Sequence, residues 1–366
     1  MNDLEKNTFV GSLIGSMPYI LLIPVVLLTL YLLNIIALCT FNVILLAFVL
    51  IFIIGPLTYK YSYRFQRSTI FLNFVTIPLQ PNLKDPSKCG LKGVLNFYLR
   101  TDEDVTLGVW HVAPEESIEE CEGKGEEYYR SLLRNGKDVV VYNHGNAGNR
   151  SAPHRVELYE VLRKQFHVIA FDYRSYGDSS NVSPSERGTV NDSTFMFKWV
   201  LGIATGNVFV WGHSLGTGIS THMLDLASAE NISPVGLILE SPFNNIRDEI
   251  RMHPFAKLFH RLPWFTYTII EPIAENKLLF KSDEHINNVN CPILILHAKD
   301  DIIVPFQLGL KLYLGAKENR LKTQGKIQFH QYDESYGYGH KYICRAPDLG
   351  DVIRNFVIDC TKNVNY

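Results

Sequence analysis

The first sixty residues carry the longest apolar stretch of the chain. From residue 7 to residue 59 no position is charged, and most are Leu, Ile, Val, Phe or Ala. About 20 apolar residues span a bilayer, so a stretch of this length predicts two spans joined by a tight turn. Asn34, or the stretch 39–42, is the candidate turn, and one span with a re-entrant segment is the alternative. We therefore expect residues 1–60 to form a transmembrane anchor. A cleavable signal peptide is disfavoured because its apolar region is short.

Beyond a linker at residues 61–92, short apolar runs alternate with amphipathic segments. Residues 93–114 are rich in strand-forming positions and broken at 102–104, which predicts a hairpin. The following apolar runs end near residues 142, 171 and 210, and helical patterns around 155–164 and 191–201 separate them. Such alternation predicts an α/β domain over residues 93–366, with a mostly parallel central sheet and helices on both faces.

The pattern changes between residues 243 and 281, where basic and large apolar positions interleave. We predict a lid insertion there, with a basic side for phosphate headgroups and an apolar side for acyl chains. An ordinary surface helix packed on the domain is the alternative. The candidate headgroup-binding residues are Arg247, Arg251, Lys257 and Arg261.

Charge and composition narrow the possible partners. The formal net charge of the 366 residues is −2 and no basic stripe is present, which argues against nucleic-acid binding. Six cysteines show no paired spacing and leave the redox compartment open. The histidines have no metal-ligand spacing with cysteines or carboxylates, so we expect no metal and no cofactor. Glycosylation-type triplets begin at Asn149, Asn181, Asn191 and Asn231.

Ser214 is the candidate nucleophile. It is the centre of Gly212-His213-Ser214-Leu215-Gly216, which follows an apolar run and precedes a small-residue helix start. This is the strand–turn–helix context of a nucleophile elbow, in which flanking glycines let strand and helix approach each other. Alone, the motif is weak because chance produces it often.

The other groups of a Ser-Asp-His set follow in that order. Asp300 and Asp301 come directly after the buried run 291–296, and His340 lies in a glycine-rich loop after the next strand pattern. This chain order is the one found in α/β-hydrolases. A serine needs a histidine to take its proton, and a carboxylate holds that histidine in the required tautomer. Glu240, at the end of an earlier apolar run, is the alternative acid.

The oxyanion that forms during acyl transfer needs backbone donors. The strand pattern ending at residue 142 leads into Asn143-His144-Gly145-Asn146-Ala147-Gly148. In this fold one donor comes from that loop and the other from the residue after the nucleophile. We therefore predict the N–H groups of Asn146 and Leu215 as the oxyanion hole.

Taken together, these motifs resemble the membrane-anchored α/β-hydrolase-domain lipases. The resemblance covers most of the chain after the anchor. It implies Ser214, Asp301 and His340 as the triad, with Asp301 preferred to Asp300 because it begins the Asp-x-x-Val-Pro loop of such hydrolases. The matching segments are 144–148, 154–159, 171–174, 184–188, 211–218, 240–243, 305–309 and 340–342.

The resemblance also implies an activity and a location. It implies a serine hydrolase that cleaves lysophospholipids or monoacylglycerols in the endoplasmic-reticulum membrane, with a lumenal catalytic domain. A protein depalmitoylase or a serine peptidase is the alternative, since either would share the triad. A binding module without activity is disfavoured by the intact Ser-Asp-His set. Lys60, Arg64 and Arg67 follow the anchor while only Lys6 precedes it, and this charge bias favours a cytosolic domain instead.

Overall fold

A computed structural model of the chain describes residues 22–76 and 82–362. The chain divides into two compact units. The first comprises Met1–Thr69 and Ile250–Leu278, and the second comprises Ile70–Glu249 and Leu279–Tyr366. The segment 250–278, which was predicted as part of a lid, therefore belongs to the same unit as the anchor.

The anchor of the first unit contains one helix long and apolar enough to cross a membrane, Leu38–Tyr61, among the described residues. A shorter apolar helix, Leu22–Leu32, precedes it, and the two are joined by a turn in which Asn34 has a φ of 55°. Of the two turn candidates, Asn34 is therefore the one observed. Most of the first of the two predicted spans lies outside the described residues.

The long helix is interrupted rather than uniform. Its α-helical first part is followed by a short π-helical segment, Leu50–Ile54, which is called a π-turn here. The N–H of Gly55 donates to the carbonyl of Leu50 in this turn. The helices of this region are α1 (Leu22–Leu32), α2 (Leu38–Val49), α3 (Gly55–Tyr61) and α4 (Tyr63–Ile70).

The rest of the first unit, which includes most of the predicted lid, is built of short helical elements. Its small core is formed by Ala256, Leu262, Phe265 and Ile270. Pro254 is the first residue of the 3₁₀ helix and Pro272 lies in the first turn of α10, where a proline is tolerated. The elements are a 3₁₀ helix at Pro254–Leu258, a π-turn at Thr266–Ile270 and α10 (Glu271–Glu275).

The second unit contains a sheet of eight strands in the order β1-β2-β4-β3-β5-β6-β7-β8. The first two strands form the predicted hairpin, β2 pairs antiparallel with β4, and all later pairs are parallel. The strands are β1 (Val94–Arg100), β2 (Thr106–Val112), β3 (Val139–Asn143), β4 (His167–Phe171), β5 (Val208–His213), β6 (Gly236–Glu240), β7 (Ile293–Ala298) and β8 (Ile327–Tyr332).

Helices cover both faces of this sheet, so the predicted fold class is confirmed. Strands β3 to β7 are buried along their whole length, as expected for a parallel sheet between helical layers. Leu158 and Leu162 on one helix and Ile353 and Phe356 on another pack against one face. The helices are α5 (Glu126–Leu132), α6 (Pro153–Leu162), α7 (Glu186–Leu201), α8 (Leu215–Ala229), α9 (Ile246–Met252), α11 (Ser282–His285), α12 (Phe306–Asn319) and α13 (Leu349–Lys362).

Candidate active site

Ser214 occupies a strained turn between β5 and α8. Its backbone has φ 53° and ψ −119°, a conformation that side-chain-bearing residues rarely adopt. A Cβ on Gly212 would lie 2.6 Å from the carbonyl oxygen of Gly216, and one on Gly216 would collide with the backbone of Asn143. Both glycines are therefore required for the tight passage from strand to helix.

His340 connects the predicted nucleophile to the predicted acid. Its Nε2 lies 2.9 Å from Oγ of Ser214, and its Nδ1 lies 2.7 Å from Oδ2 of Asp301. The loop that carries it turns at Gly337 and Gly339, which have φ values of 66° and 54°. The three residues come from the carboxyl ends of β5, β7 and β8, where the ends of parallel strands converge.

Asp301 is held as a carboxylate. Its Oδ1 accepts hydrogen bonds from the N–H groups of Ile303 and Val304, each at 2.9 Å. Burial alone would raise the pKa of Asp301, but the adjacent His340, together with His297, outweighs burial and lowers the pKa well below the usual range. An ionised acceptor at this position fixes the proton of His340 on Nδ1 and leaves Nε2 free to accept the serine proton.

Asp300 has a different partner. Its Oδ2 accepts a 2.9 Å hydrogen bond from the backbone N–H of Gly339, next to His340. Asp300 thus holds the backbone of the loop that carries His340 (the histidine loop), whereas Asp301 contacts the imidazole of His340. Of the two carboxylates left open by the strand pattern, only Asp301 is in position to orient His340.

The alternative acid, Glu240, lies beneath the site and faces another partner. Its Oε2 accepts a 2.9 Å hydrogen bond from the indole N–H of Trp211, and its backbone carbonyl accepts from the N–H of Ser214. Burial raises the pKa of Glu240 to about 8, and the charge of Asp301 adds to this effect. Glu240 therefore supports the elbow as a buried group and does not contact His340.

His213, inside the elbow motif, also acts on the histidine loop. Burial, followed by the proximity of His340, lowers the pKa of His213 to about 3, so the ring is neutral near pH 7. Its Nε2 lies 2.9 Å from the carbonyl oxygen of His340, and only a donor can serve there. These contacts give His213 a structural role.

The predicted oxyanion loop lies directly against the nucleophile. A Cβ on Gly145 would be 3.1 Å from Cβ of Ser214 and 2.8 Å from Nδ1 of His213, so this close approach requires glycine. Among residues 22–76 and 82–362, no hydrogen bond to protein uses the backbone N–H of Asn146 or Leu215. Both amides are thus available as the donors that the sequence predicts.

Arg155, which lies in the matching segment 154–159, organises this loop from behind. The buried guanidinium donates to the carbonyl oxygens of Gly145 at 2.9 Å, Ala147 at 2.8 Å and Asn149 at 2.6 Å. Because the carbonyls are drawn towards Arg155, the intervening peptide planes are fixed. A conventional helix pattern contains nothing that marks such an arginine in advance.

The segment that follows α4 contacts the same loop from the other side. The N–H of Leu72 donates to Oδ1 of Asn146 at 2.7 Å, and the carbonyl of Val75 accepts from the N–H of Gly148 at 2.6 Å. Both contacts use backbone atoms of the predicted linker 61–92. Any side chain could stand at these positions, so the sequence carries no signal for them.

One cluster of potential metal ligands exists among the described residues, away from the triad. Ligand atoms of Glu186, His222 and His285 lie within 4.8 Å of one another. The two imidazoles are stacked, with centroids 4.0 Å apart and planes inclined by 11°, so their in-plane lone pairs do not converge on one point. His222 pairs with Glu186 and His285 with Asp225 instead. The arrangement fits two histidine–carboxylate pairs better than a metal centre.

Three of the four predicted headgroup-binding residues are on the surface. Arg247 and Arg251 are exposed on α9, and Arg261 is exposed after the 3₁₀ helix. The side chain of Lys257 lies outside the described part of the structure. The role of this group in lipid recognition stays a prediction.

Comparison with known proteins agrees with this fold. A family model described as the α/β hydrolase fold matches residues 138–279. The lysophosphatidylserine lipase ABHD12 of Danio rerio is 41% identical over 309 residues, which cover 84% of this chain and 81% of that protein. Protein ABHD12B of Homo sapiens is 34% identical over 292 residues, covering 79% of each chain.

Solved structures show the same fold at low sequence identity. An α/β hydrolase from Vibrio vulnificus superposes with a TM-score of 0.57 at 17% identity, covering 83% of this chain and 94% of that one. The Pyrococcus furiosus esterase Pf2001 gives a TM-score of 0.55 at 17% identity, covering 78% and 97%. At this identity the likeness concerns the architecture alone.

Proposed function

The chain belongs to the α/β-hydrolase family of lipases that includes the lysophosphatidylserine lipases, and from this premise we propose how its residues act. The protein is a membrane-bound serine hydrolase that cleaves the acyl ester of single-chain lipids through an acyl-enzyme. The observation that carries the proposal is the continuous hydrogen-bonded path from Oγ of Ser214 through His340 to Asp301, at 2.9 Å and 2.7 Å.

Acylation uses the three residues in sequence. Nε2 of His340 takes the hydroxyl proton of Ser214 while Oγ bonds to the ester carbonyl carbon. The carbonyl oxygen becomes an oxyanion that the N–H groups of Asn146 and Leu215 stabilise, and the loss of one such donor costs about 3 kcal/mol. His340 then protonates the leaving alcohol as the ester bond breaks, and Asp301 stabilises the imidazolium without taking its proton.

Deacylation repeats these steps with water. His340 removes a proton from water, whose oxygen attacks the acyl carbon, and the returning proton goes to Oγ of Ser214 as the fatty acid leaves. No cofactor is needed because the reaction is a hydrolysis in which no redox change occurs.

The substrate class follows from the relatives and the anchor. Several relatives that share about 42% identity with this chain are named lysophosphatidylserine lipases. A helix able to cross a membrane would hold the active unit where single-chain lipids dissolve. We propose lysophosphatidylserine as the preferred substrate, with monoacylglycerol as a neutral substrate of the same site.

A substrate panel tests this assignment. The full-length protein in mixed micelles is assayed for fatty-acid release from lysophosphatidylserine, lysophosphatidylcholine, monoacylglycerol and an S-palmitoyl peptide, with Ser214→Ala as the blank. Release from lysophosphatidylserine at the highest kcat/KM supports the proposal. Turnover of the S-palmitoyl peptide alone would identify a protein depalmitoylase and overturn the lipid assignment.

For the location we propose the endoplasmic-reticulum membrane with a lumenal catalytic unit. The extent of the family match supports the lumen, whereas Lys60, Arg64 and Arg67 favour the cytosol. Asn181 and Asn231 are exposed and would accept glycans in the lumen, while Asn149 is buried. Protease resistance in sealed microsomes, with an endoglycosidase shift that Asn181→Gln and Asn231→Gln remove, supports this orientation. Full digestion without detergent and no shift would place the unit in the cytosol.

A further inference from the structure

We propose that the segment Ile250–Leu278 is itself a membrane element, which enters the interfacial part of the bilayer alongside the transmembrane helix and contacts lipid acyl chains there. This goes beyond the hydrolysis reaction, because it assigns a lipid-binding surface to residues outside the triad. The partner is the acyl-chain and headgroup boundary of the leaflet on the carboxyl-terminal side of α3. The name docking segment is used below for Ile250–Leu278.

The first observation is a hydrogen bond to the backbone of the transmembrane helix. The indole N–H of Trp264 donates to the carbonyl oxygen of Phe52 at 2.9 Å. Phe52 is the third residue of the π-turn Leu50–Ile54, where the regular hydrogen-bond ladder of the helix is interrupted. Within lipid, irregular helix turns are tolerated where neighbouring side chains satisfy the affected backbone groups. Trp264 supplies such a hydrogen bond to the carbonyl of Phe52.

The second observation is that the contacts between the two elements follow one register. Phe259 packs with Phe52 at 6.1 Å between ring centroids, level with the π-turn. Eight residues further along the helix, Nζ of Lys60 lies 2.9 Å from the centroid of the Tyr267 ring. The docking segment and the helix therefore advance together from the apolar interior towards the end of α3.

Beyond the apolar stretch the contacts become polar. The side-chain amide of Asn276 donates to Oε1 of Gln66 at 2.7 Å. Gln66 belongs to α4, which follows the apolar helix and carries Arg64 and Arg67. Three kinds of contact therefore follow one another along the two elements. They are the apolar pair of phenylalanines, the lysine over the tyrosine ring and the pair of side-chain amides. This order matches the change from acyl chains through the interface to water.

The register also gives the depth of insertion. The eight residues from Phe52 to Lys60 correspond to about 12 Å along a helix. Lys60 ends the apolar stretch and reaches the interface, so Phe259 and Trp264, which contact Phe52, would lie about 12 Å below it. Interfacial helices bury their apolar side to about 5–10 Å. The docking segment is therefore placed slightly deeper than a typical monotopic helix and far short of the opposite leaflet.

The outer surface of the docking segment fits such an environment. Leu258 is 60% exposed and Tyr267 is 46% exposed, and on the adjacent helix Ile54 is 45% exposed. Arg251 and Arg261 are also exposed, and arginine side chains reach the headgroups from a buried stem. Contact with lipid accounts for the exposed apolar side chains and for the exposed arginines. In water the large apolar side chains would remain solvated, which is unfavourable.

A depth measurement on the full-length protein tests the proposal without any substrate. In a background with Cys39→Ala and Cys89→Ala, Leu258→Cys is labelled with a bimane in detergent and reconstituted into phosphatidylcholine–phosphatidylserine vesicles. Quenching is then measured with phosphatidylcholine that carries a nitroxide at carbon 5 of one acyl chain. Ile54→Cys serves as the membrane control and Leu321→Cys, 66% exposed in the second unit, as the aqueous control.

The two controls define the outcome. We expect the quenching of the bimane at position 258 to lie above the midpoint between positions 321 and 54. A value at or below that midpoint would overturn the proposal. The readout is independent of catalysis, so it can fail while the proposed hydrolase activity stands.

A second variant tests the docking contact. Trp264→Phe keeps the aromatic ring but removes the N–H donor to Phe52, and we expect quenching at position 258 to fall by at least twofold. The matched control is Trp199→Phe. Trp199 lies in α7 of the second unit, so its substitution should leave the quenching at position 258 unchanged. Unchanged quenching in Trp264→Phe, in a protein whose near-UV circular dichroism is retained, would contradict docking through this bond.

Discussion

Nδ1 of His340 lies 2.7 Å from the carboxylate of Asp301. The neighbouring Asp300 accepts instead from the backbone N–H of Gly339, so the two adjacent acids act on different parts of one loop. The first orients the ring and the second positions the backbone. This division makes their substitutions distinguishable.

We expect Asp301→Asn to lower kcat by about three to four orders of magnitude, because an amide no longer selects the required tautomer of His340. Asp300→Asn should cost less than tenfold, since the amide oxygen still accepts from Gly339. Steady-state kinetics on a soluble ester compare the two variants. A larger loss of kcat in Asp300→Asn than in Asp301→Asn would show that Asp300, and not Asp301, is the acid of the triad.

Glu240→Gln should leave activity within about threefold of the wild type and flatten the pH dependence of stability. The pKa of about 8 means that native Glu240 stays protonated where the unfolded chain, with a pKa near 4.5, is ionised. The native state then binds more protons, so stability falls as pH rises from about 4.5 to about 8, by up to about 1.4 kcal/mol per pH unit.

Denaturant unfolding at pH 5 and pH 7.5 measures this slope in both proteins. The amide of Gln can still accept from Trp211, so packing should be kept. A loss of activity by orders of magnitude in Glu240→Gln would instead identify Glu240 as the acid of the triad.

Arg155→Lys should lower kcat by about 100-fold with little change in KM. The substitution removes the guanidinium that donates to three carbonyls of the oxyanion loop. A backbone donor that is then misplaced lowers transition-state stabilisation by about 3 kcal/mol. Arg163→Lys is the matched control, because that arginine is equally buried but bonds to Ala113. It should reduce thermal stability and leave kcat unchanged. Equal effects on kcat in both variants would remove the positioning role of Arg155.

Replacing the four basic residues Arg247, Arg251, Lys257 and Arg261 by Gln should weaken hydrolysis of lysophosphatidylserine more than that of monoacylglycerol. Each basic group near an anionic lipid surface contributes about 1 kcal/mol. The ratio of the two kcat/KM values is the measurement. An equal loss on both lipids would leave these residues a structural role only.

Much of the fold and of the candidate site is readable from local sequence. The elbow at Ser214, the glycines around His340 and the strand ends that carry Asp301 have strong local signatures, because backbone strain and burial restrict the residue types there. The turn at Asn34 is similar, since asparagine tolerates a positive φ.

Contacts that depend on distant backbone atoms were not predictable. The bonds from Leu72 and Val75 to the oxyanion loop use main-chain groups, which every residue type supplies. Trp264 reaches Phe52 across 212 positions of sequence, and its indole looks like any interfacial aromatic residue. His297, which donates to the carbonyl of Val304 beneath Asp301, resembles an ordinary strand-end histidine.

The most direct measurement is labelling of the full-length protein with a fluorophosphonate, followed by identification of the modified residue by mass spectrometry. We expect one modified site, Ser214, no labelling in Ser214→Ala, and strongly slowed labelling in His340→Ala, with both variants keeping the wild-type circular dichroism spectrum. Labelling that persists in Ser214→Ala, or modification of another serine in the wild type, would contradict the assignment of Ser214 as the nucleophile.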